Sequence, residues 1–310
     1  MKRWILWAIV YFPALCWAGL SLKESLWWVE NIVAFPALFM FGYVLLALVL
    51  GLARCYGQTL VCLVLAGAFA LMTPKGSQAL VADCDTPVTV LQYNLYYENP
   101  DIHQFINYLL TQPADLIVMQ EVAPEIGEQL KLLDDRYPFF YGGQEGIGYP
   151  SSQMILSTTP LTDASVFHTP DQQSVIRAVW HPPKQDPITL MVAHPPSPRS
   201  KELWHRRNAL IRTIESLNEQ YPDDEVLIVG DFNLSSISRR FAQLFPTFQT
   251  APVASWPNWG AQVATPALTM IAIDHLWLQS ANAGRRLCHR ESLSTPNGSD
   301  HKLVLTKIGY

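Results

Sequence analysis

Six apolar runs in the sequence stop at, or start from, side chains that can transfer protons or bind metal ions. These side chains are Asn94, Glu121, His194, Asp231 with Asn233, Asp274, and the pair Asp300 and His301. Asp and Asn at the end of an apolar run are most often turn formers. Six such placements within one segment are difficult to attribute to turn preference, so the pattern predicts an active site assembled at strand ends.

The residue types favour a hard divalent metal ion. Glu121, with Asn94 or Asp300, offers the oxygen ligands that Mg²⁺ prefers in proteins, and Mn²⁺ is the alternative ion. The sequence contains no CxxC or HExxH spacing, which disfavours zinc. A metal held in this way polarises a phosphoryl oxygen and neutralises the charge that develops during hydrolysis.

The remaining polar residues match the proton and hydrogen-bond requirements of phosphate hydrolysis. His301 can pass a proton or a hydrogen bond to a phosphate, and the buried carboxylate expected to orient it is Asp274. Asp231 can align or deprotonate the attacking water, while Asn233 and His194 contact the phosphate. No serine or cysteine nucleophile motif accompanies the set, so hydrolysis of a phosphate ester or anhydride is favoured over acyl transfer.

The elements that must position these residues follow residue 87 as strand-like runs mixed with a few helix-like runs. Strands are predicted over VTVLQYNL, DLIVMQEV, QMILST, SVIRAVW, ITLMVAH, EVLIVGDF, AIDHLWL and KLVLTKI. Helices are predicted over DIHQFINYLL, PEIGEQLKLL and SKELWHRRNALIRTIESLNEQ. Many strands with few helices between them predict an α/β fold of two packed sheets with helices outside.

Charge is distributed unevenly along the chain. The first 75 residues hold seven charged side chains, whereas the rest hold 16 Lys and Arg against 24 Asp and Glu, a net charge of −8. Three apolar blocks, at 4–22, 32–52 and 59–72, approach the roughly 20 residues that a membrane-spanning helix needs. A cleaved signal peptide is the alternative for the first block, and a buried or interfacial helix is the alternative for the third.

These blocks divide the chain into three predicted parts: a membrane anchor of about three transmembrane helices at 1–73, a linker at 74–87 and a catalytic domain at 88–310. Basic residues favour the cytoplasmic side, and Lys2 and Arg3 therefore place the N-terminus inside. With three spans the catalytic domain lies outside, and with two it lies inside. We expect a multi-pass protein of the bacterial cytoplasmic membrane with the domain on the extracytoplasmic side.

Two of the five cysteines, Cys84 and Cys288, belong to the segment after the anchor. An even pair in an exported domain can form a disulfide, because oxidising compartments permit it. We expect this bridge if the domain lies outside the cytoplasm.

Short motifs, in order, resemble the endonuclease/exonuclease/phosphatase superfamily, which includes deoxyribonuclease I and neutral sphingomyelinases. They are QYNL (92–95), MQEV (119–122), VAH (192–194), GDFN (230–233), IDHLWL (273–278) and GSDHKLV (298–304). The resemblance runs from about residue 88 to the C-terminus. It implies a four-layer αββα sandwich, deoxyribonuclease I-like, with a metal site at one end.

The same resemblance implies a role for each motif residue. Glu121 becomes the main Mg²⁺ ligand, with Asn94 and Asp300 beside it. His301, oriented by Asp274, becomes the histidine that contacts phosphate; Asp231 and Asn233 handle the water and the phosphate, and His194 is a further phosphate contact. Arg177 is similar to a strand arginine found near the site in this family. His275 is expected to point to the opposite face of its strand from Asp274.

The substrate is predicted from charge and from the anchor. A net charge of −8 disfavours nucleic acid, which calls for a basic footprint. One basic cluster is either a phosphate clamp or a solvated helix face; it contains Arg199, Lys201, His205, Arg206 and Arg207. The anchor resembles that of bacterial membrane-bound members linked to teicoplanin-type resistance, which implies an undecaprenyl diphosphate-type lipid. A lipid-linked phosphate is therefore favoured; a nuclease, a phospholipid or sphingolipid phosphodiesterase and a non-enzymatic binding module are the alternatives.

Overall fold

The computed structural model describes residues 3–23, 26–143, 152–259 and 265–310. Four helices come first: α1 (Arg3–Ser21), α2 (Trp27–Val33), α3 (Pro36–Leu52) and α4 (Tyr56–Leu71). Their apolar residues pack on one another around a small core that includes Val10, Met40 and Phe69. Lys2, which supported the predicted orientation, lies outside the described residues.

The expectation of three full-length spans is not supported by these helices. Only α1 is both long and apolar enough to cross a membrane by itself among the described residues. The second block is broken into α2 and α3, which meet at an angle of 57° just before Pro36, and α4 has only 16 residues. Pro36 begins α3 because its fixed φ and missing N–H suit the first turn of a helix.

Two sheets follow. The seven-stranded sheet has the order β1 (Ser77–Ala79), β12 (Arg286–Leu293), β13 (Leu303–Gly309), β2 (Val88–Asn94), β3 (Leu116–Gln120), β5 (Gln153–Ser157), β4 (Phe139–Gly142). The six-stranded sheet has the order β10 (Gln249–Thr250), β11 (Asp274–Ser280), β9 (Glu225–Asp231), β8 (Ile188–Ala193), β7 (Ser174–Trp180), β6 (Leu161–His168).

Helices cover the outer faces of both sheets. A central core between the sheets contains alternate residues of their strands, among them Val90, Leu190 and Val229. A second core packs the first sheet against α5 (Ile102–Thr111) and α6 (Pro124–Lys131), and a third packs the other sheet against α7 (Lys201–Gln220) and α8 (Arg239–Gln243). The predicted four-layer αββα sandwich is confirmed. Because the central strands are buried on both faces, they are continuous apolar runs in the sequence.

The stretch predicted as a linker is bound closely to the sandwich. Its strand β1 pairs antiparallel with β12. Cys84 and Cys288 form a disulfide with a Cα–Cα distance of 5.9 Å. The chain therefore passes from α4 directly onto the edge of the first sheet.

Strand direction brings the candidate residues to one end of the sandwich. β2 and β3 are parallel, as are β8 and β9, so the carboxyl ends of each pair lie side by side. β11 is antiparallel to β9, and Asp274 stands opposite Asp231. Asp274 was expected at the end of an apolar run, but it is the first residue of β11. In an antiparallel pair the start of one strand lies beside the end of its neighbour, which is why Asp274 reaches the same edge.

Candidate active site

Glu121 stands one residue beyond β3 with a left-handed backbone, φ +53°. This region is unfavourable for a residue with a Cβ, and such conformations concentrate at functional sites. Its side chain is 21% exposed and lines a cavity of about 500 Å³. Glu121 Oε1 accepts a hydrogen bond of 3.0 Å from Asn94 Nδ2. The end of β3 therefore delivers a carboxylate to the cavity at a local backbone cost.

Asp231 and His194 lie close to each other because β9 and the end of β8 are in close backbone contact at Gly230. A Cβ on Gly230 would lie 1.9 Å from the backbone oxygen of Ala193, so only glycine fits between β9 and the end of β8. His194 Nε2 lies 3.6 Å from Asp231 Oδ2 and 3.8 Å from Glu121 Oε1. The glycine of the GDFN motif thus sets the spacing of Asp231 and His194.

The two asparagines hold the acids in place. Asn94 Nδ2 donates to both Glu121 and Asp231, each at 3.0 Å, while its Oδ1 accepts from the backbone N–H of Tyr96. Asn94 therefore contacts both acids through its Nδ2, and its Oδ1, the atom predicted to contact a metal, accepts one hydrogen bond and keeps a second lone pair. Asn233, at φ +48°, donates its backbone N–H to Asp231 Oδ1 and its Nδ2 to Pro195 O.

The SDH motif before β13 forms the other side of the site. His301 Nδ1 donates to Asp274 Oδ2 at 2.8 Å, and His301 Nε2 lies 3.7 Å from Asp231 Oδ2. Asp300 Oδ2 accepts a hydrogen bond of 3.0 Å from Trp256 Nε1. Ser299 Oγ donates to Asn94 O and accepts from the backbone N–H of His301, which ties this loop to the end of β2.

Burial and neighbouring charge shift the acid–base groups of the site. Burial would lower the pKa of His301, but the carboxylates of Asp274 and Asp231 outweigh it and raise the pKa to about 10. Burial would raise the pKa of Asp231, but His301 and His194 lower it to about 2. The pKa of His194 is raised, because the attraction of Asp231 and Glu121 exceeds the effect of burial. At neutral pH the site therefore holds an ionised Asp231 beside a cationic His301.

Wall residues of the cavity come from two parts of the chain. Glu121, His194, Asp231, Asp300 and His301 line it from the sandwich. Opposite them stand residues on and after α2: Glu30, Asn31, Ala34 and Phe35. The apolar N-terminal segment therefore closes one side of the cavity that contains the candidate catalytic groups.

The donor set of the cavity fits a hard divalent metal ion. The carboxylates of Glu121 and Asp300 both line it, and the Asp300 side chain is 44% exposed. Among the described residues, Asp231, Asp274 and His301 also bring ligand atoms within 4.8 Å of one another. There His301 Nδ1 and Asp274 Oδ2 are already joined by a hydrogen bond. Glu121 and Asp300 offer two further carboxylates to a metal ion in the cavity.

Three residues that were predicted near the site lie elsewhere. Arg177 packs its guanidinium 5.5 Å from the ring of Tyr221, at the far end of α7, whose 20 residues span about 30 Å. Arg206 forms an ion pair of 2.6 Å with Asp171, and Lys201 lines an outer surface depression beside it. Of the predicted basic cluster, Arg199 and Arg207 line the cavity, and Arg207 is paired there with Glu30.

His275 occupies the face opposite to Asp274, as side-chain alternation in a strand predicts. Its Nε2 lies 2.7 Å from Leu234 O, and its ring packs against Phe241 and Trp277. Burial lowers its pKa to about 3. His275 is a neutral core residue.

Other contacts that shape the site were not predicted. Arg207 is fully buried and pairs with Glu30, which also accepts a hydrogen bond from Trp204. Arg290, also fully buried, donates to the backbone oxygen of Asp274. A Glu between tryptophans and the second apolar block was the available signal for Glu30, since a charge in apolar surroundings needs a partner.

Comparison with known proteins places these features in a family. Residues 91–301, more than half of the chain, match the Endonuclease/Exonuclease/phosphatase family. No curated protein sequence matches the chain.

Solved structures show the same fold. TDP2 of D. rerio, complexed with single strand DNA product, has a TM-score of 0.59 and 16% identity, covering 73% of this chain and 100% of that one. Sphingomyelinase C of Streptomyces griseocarneus has a TM-score of 0.55 and 17% identity, covering 71% and 99%. The human Nocturnin catalytic domain with bound sulfate anion has a TM-score of 0.53 and 13% identity, covering 77% and 98%.

Proposed function

Because this chain belongs to the endonuclease/exonuclease/phosphatase family, whose members are metal-dependent hydrolases of phosphate ester and anhydride bonds, we propose that it is a membrane-anchored, Mg²⁺-dependent phosphohydrolase. The proposed substrate is a lipid-linked phosphate or diphosphate of the bacterial cell envelope. The observation that carries this proposal is the position of α2, which brings the apolar N-terminal segment to the wall of the active-site cavity. A substrate that belongs to the bilayer would meet the site there.

The surface of the N-terminal segment supports attachment to a membrane. Most of its exposed large side chains are apolar, and Phe12, Leu38, Leu52 and Leu71 are between 66% and 89% exposed. A continuous apolar surface of this kind indicates contact with lipid. We propose that α1 enters the bilayer of the cytoplasmic membrane and that the sandwich lies on the extracytoplasmic side. The Cys84–Cys288 disulfide is consistent with an oxidising compartment.

The charge of the site favours a small phosphate head group over nucleic acid. Two basic residues, Arg199 and Arg207, are among the described residues that line the cavity, and Arg207 is already paired with Glu30. Nucleic acid binding draws its affinity from many phosphate contacts. One unpaired guanidinium beside two histidines suits a single phosphate or diphosphate.

The residues of the site would divide the reaction between them. Glu121 and Asp300 would hold a divalent metal, with Mn²⁺ as the alternative to Mg²⁺, and the ion would supply Lewis-acid stabilisation of charge on the phosphate. Cationic His301 would donate from Nε2 to a phosphate oxygen, with its orientation fixed by Asp274. A carboxylate with a pKa of about 2 is a weak base, so Asp231 would orient the attacking water by accepting its hydrogen bond.

His194 and Asn94 would complete this arrangement. The imidazole of His194, close to Glu121 and Asp231, is placed to contact a second phosphate oxygen. Asn94 would hold the carboxylates of Glu121 and Asp231 at a fixed separation by donating a hydrogen bond to each. The water oxygen would bond to the terminal phosphorus while the bond from that phosphorus to the bridging oxygen breaks. The lipid monophosphate would leave with the bridging oxygen, and the protons of the water would stay with the inorganic phosphate that is released.

The experiment that tests this function offers three substrate classes in parallel to purified, detergent-solubilised protein with Mg²⁺. They are a polyprenyl diphosphate, sphingomyelin with phosphatidylcholine, and linear plus duplex DNA, with the His301→Ala variant as the blank. Release of inorganic phosphate from the polyprenyl diphosphate alone would support the proposal. A released phosphorylated head group or cut DNA, with untouched diphosphate, would replace it with a phosphodiesterase or a nuclease.

A further inference from the structure

A second cavity, of about 450 Å³, lies within the N-terminal segment. It is bounded by Pro13 of α1, Ile32 of α2, and Leu38, Phe39, Gly42 and Leu46 of α3. We call this cavity the anchor groove. Its walls are almost entirely apolar side chains, so a hydrocarbon chain is the occupant that its chemistry would accept.

The anchor groove begins where the active-site cavity ends. Asn31 of α2 lines both cavities. The 57° bend between α2 and α3 turns the second helix away from the first and leaves a concave surface between them. The cavity that holds the candidate catalytic groups therefore adjoins an apolar groove at Asn31. An amphiphile that carries its phosphate next to a hydrocarbon chain has the same order of parts.

Fixed contacts hold the two cavities in register. Glu30 receives two hydrogen bonds from buried Arg207, at 2.5 and 2.8 Å, and Asn31 Nδ2 donates to Pro198 O at 2.8 Å. The ring of Phe35 packs 5.9 Å from that of Trp256, which also binds Asp300. Loss of one partner from a charged pair buried this completely strongly destabilises a protein. The contact between Glu30 and Arg207 therefore holds α2 firmly against the sandwich.

We propose that the anchor groove binds the hydrocarbon chain next to the phosphate of the substrate, and that it selects long-chain lipid phosphates over short, water-soluble ones. This inference rests on the proposed function and deepens it. Leu38 of α3 lines the groove and is 66% exposed, so the hydrocarbon chain would contact it where the groove meets the surface. Asn31 marks the boundary between head group and chain.

The test fills the groove with a side chain. A Cβ on Gly42 meets no other atom within 4 Å, so a Gly42→Phe variant has room to fold and places its ring in the groove. Gly67 of α4 is exposed on the same segment, lines neither cavity, and also meets nothing within 4 Å, which makes Gly67→Phe the matched control. Both variants are assayed on a C55 polyprenyl diphosphate in micelles and on a soluble C5 isoprenyl diphosphate.

The measured quantity is the ratio of kcat/KM for the C55 substrate to kcat/KM for the C5 substrate. We expect Gly42→Phe to lower this ratio at least tenfold, mainly through KM, and Gly67→Phe to leave it within twofold. An unchanged ratio in Gly42→Phe, or an equal fall in both variants, would overturn the groove assignment while leaving the proposed function standing. Wild-type protein that releases phosphate from neither substrate would overturn both.

A second measurement does not depend on turnover or on the folding of a variant. Wild-type protein is irradiated with a polyprenyl phosphate that carries a photoreactive group on its first isoprene units, and the cross-linked peptides are identified. Labelling of the peptide that contains residues 38–46 is expected, with loss of labelling when unlabelled C55 lipid competes. Labelling spread over α1, α3 and α4, without competition, would mean that the groove is covered by ordinary bilayer lipid.

Discussion

The pair formed by His301 and Asp274 makes a specific prediction about pH. Asp274 Oδ2 lies 2.8 Å from His301 Nδ1, and this carboxylate is the largest of the charges that raise the pKa of His301 to about 10. The Asp274→Asn variant keeps the size of the side chain and removes its charge. A hydrogen bond to a charged group contributes about 1.5–3 kcal/mol. Since 1.36 kcal/mol corresponds to one pKa unit, the pKa of His301 should fall from about 10 by roughly one to two pKa units.

The direction of the effect on activity follows from the sign of this change. Wild-type His301 stays protonated until the pH approaches about 10, so phosphate stabilisation by its cation should be lost only on the alkaline side. In Asp274→Asn, the pH at which kcat/KM falls to half its maximum on the alkaline side should be lower by about one to two pH units. We call this pH the alkaline midpoint. The loss of activity should therefore be larger at pH 9 than at pH 7.

The assay is kcat/KM between pH 6 and 10 on a soluble phosphate ester at saturating metal. Asp163→Asn, at an exposed position of β6, is the control for removing one negative charge. Thermal unfolding of each variant confirms that it is folded at every pH used. An alkaline midpoint that stays in place or moves upward in Asp274→Asn would refute the view that cationic His301 acts on the phosphate.

Three further predictions concern the metal, the anchor and the strand contact. Glu121→Ala should lose activity that high Mg²⁺ partly restores, whereas Asp231→Ala should not be restored; equal rescue in a Mg²⁺ titration would contradict their separate roles. Glu30→Gln should lower the free energy of unfolding by about 3–5 kcal/mol, because the buried Arg207 loses its partner; denaturant unfolding measures this, and Glu30→Gln with Arg207→Met should recover part of it. Gly230→Ala should destabilise the fold by about 1–3 kcal/mol, because its Cβ would overlap a backbone oxygen of β8; an unchanged unfolding midpoint would show that the strands can separate at no cost.

Sequence patterns were informative about the fold where strands are buried on both faces. β2, β3, β8 and β9 are continuous apolar runs and were predicted together with the polar residues at their ends. The edge strand β6, with its mostly exposed or half-buried side chains, was not predicted. Such strands alternate weakly and bury little apolar surface, so their pairing is decided by the neighbouring strand rather than by their own composition.

The sequence identified the residue types of the site, but it did not identify which residues form ion pairs with one another. Glu121 and His301 were identified by type and motif, and the structure brings them to one cavity. Arg206 could not be separated from a phosphate contact by sequence, because its partner Asp171 lies 35 residues earlier in the chain. The contact between Glu30 and Arg207 joins residues 177 apart, and a pattern of neighbouring residues carries no information about such a pairing.

The central claim is that metal and phosphate meet in the cavity between the sandwich and α2, with Glu121 on the metal side and His301 on the phosphate side. Anomalous diffraction from crystals of the full chain grown with Mn²⁺ and inorganic phosphate tests it most directly. We predict a manganese peak on the carboxylates of Glu121 and Asp300, with phosphate beside His301. A manganese peak at Asp231, Asp274 and His301, with none at Glu121, would contradict the account.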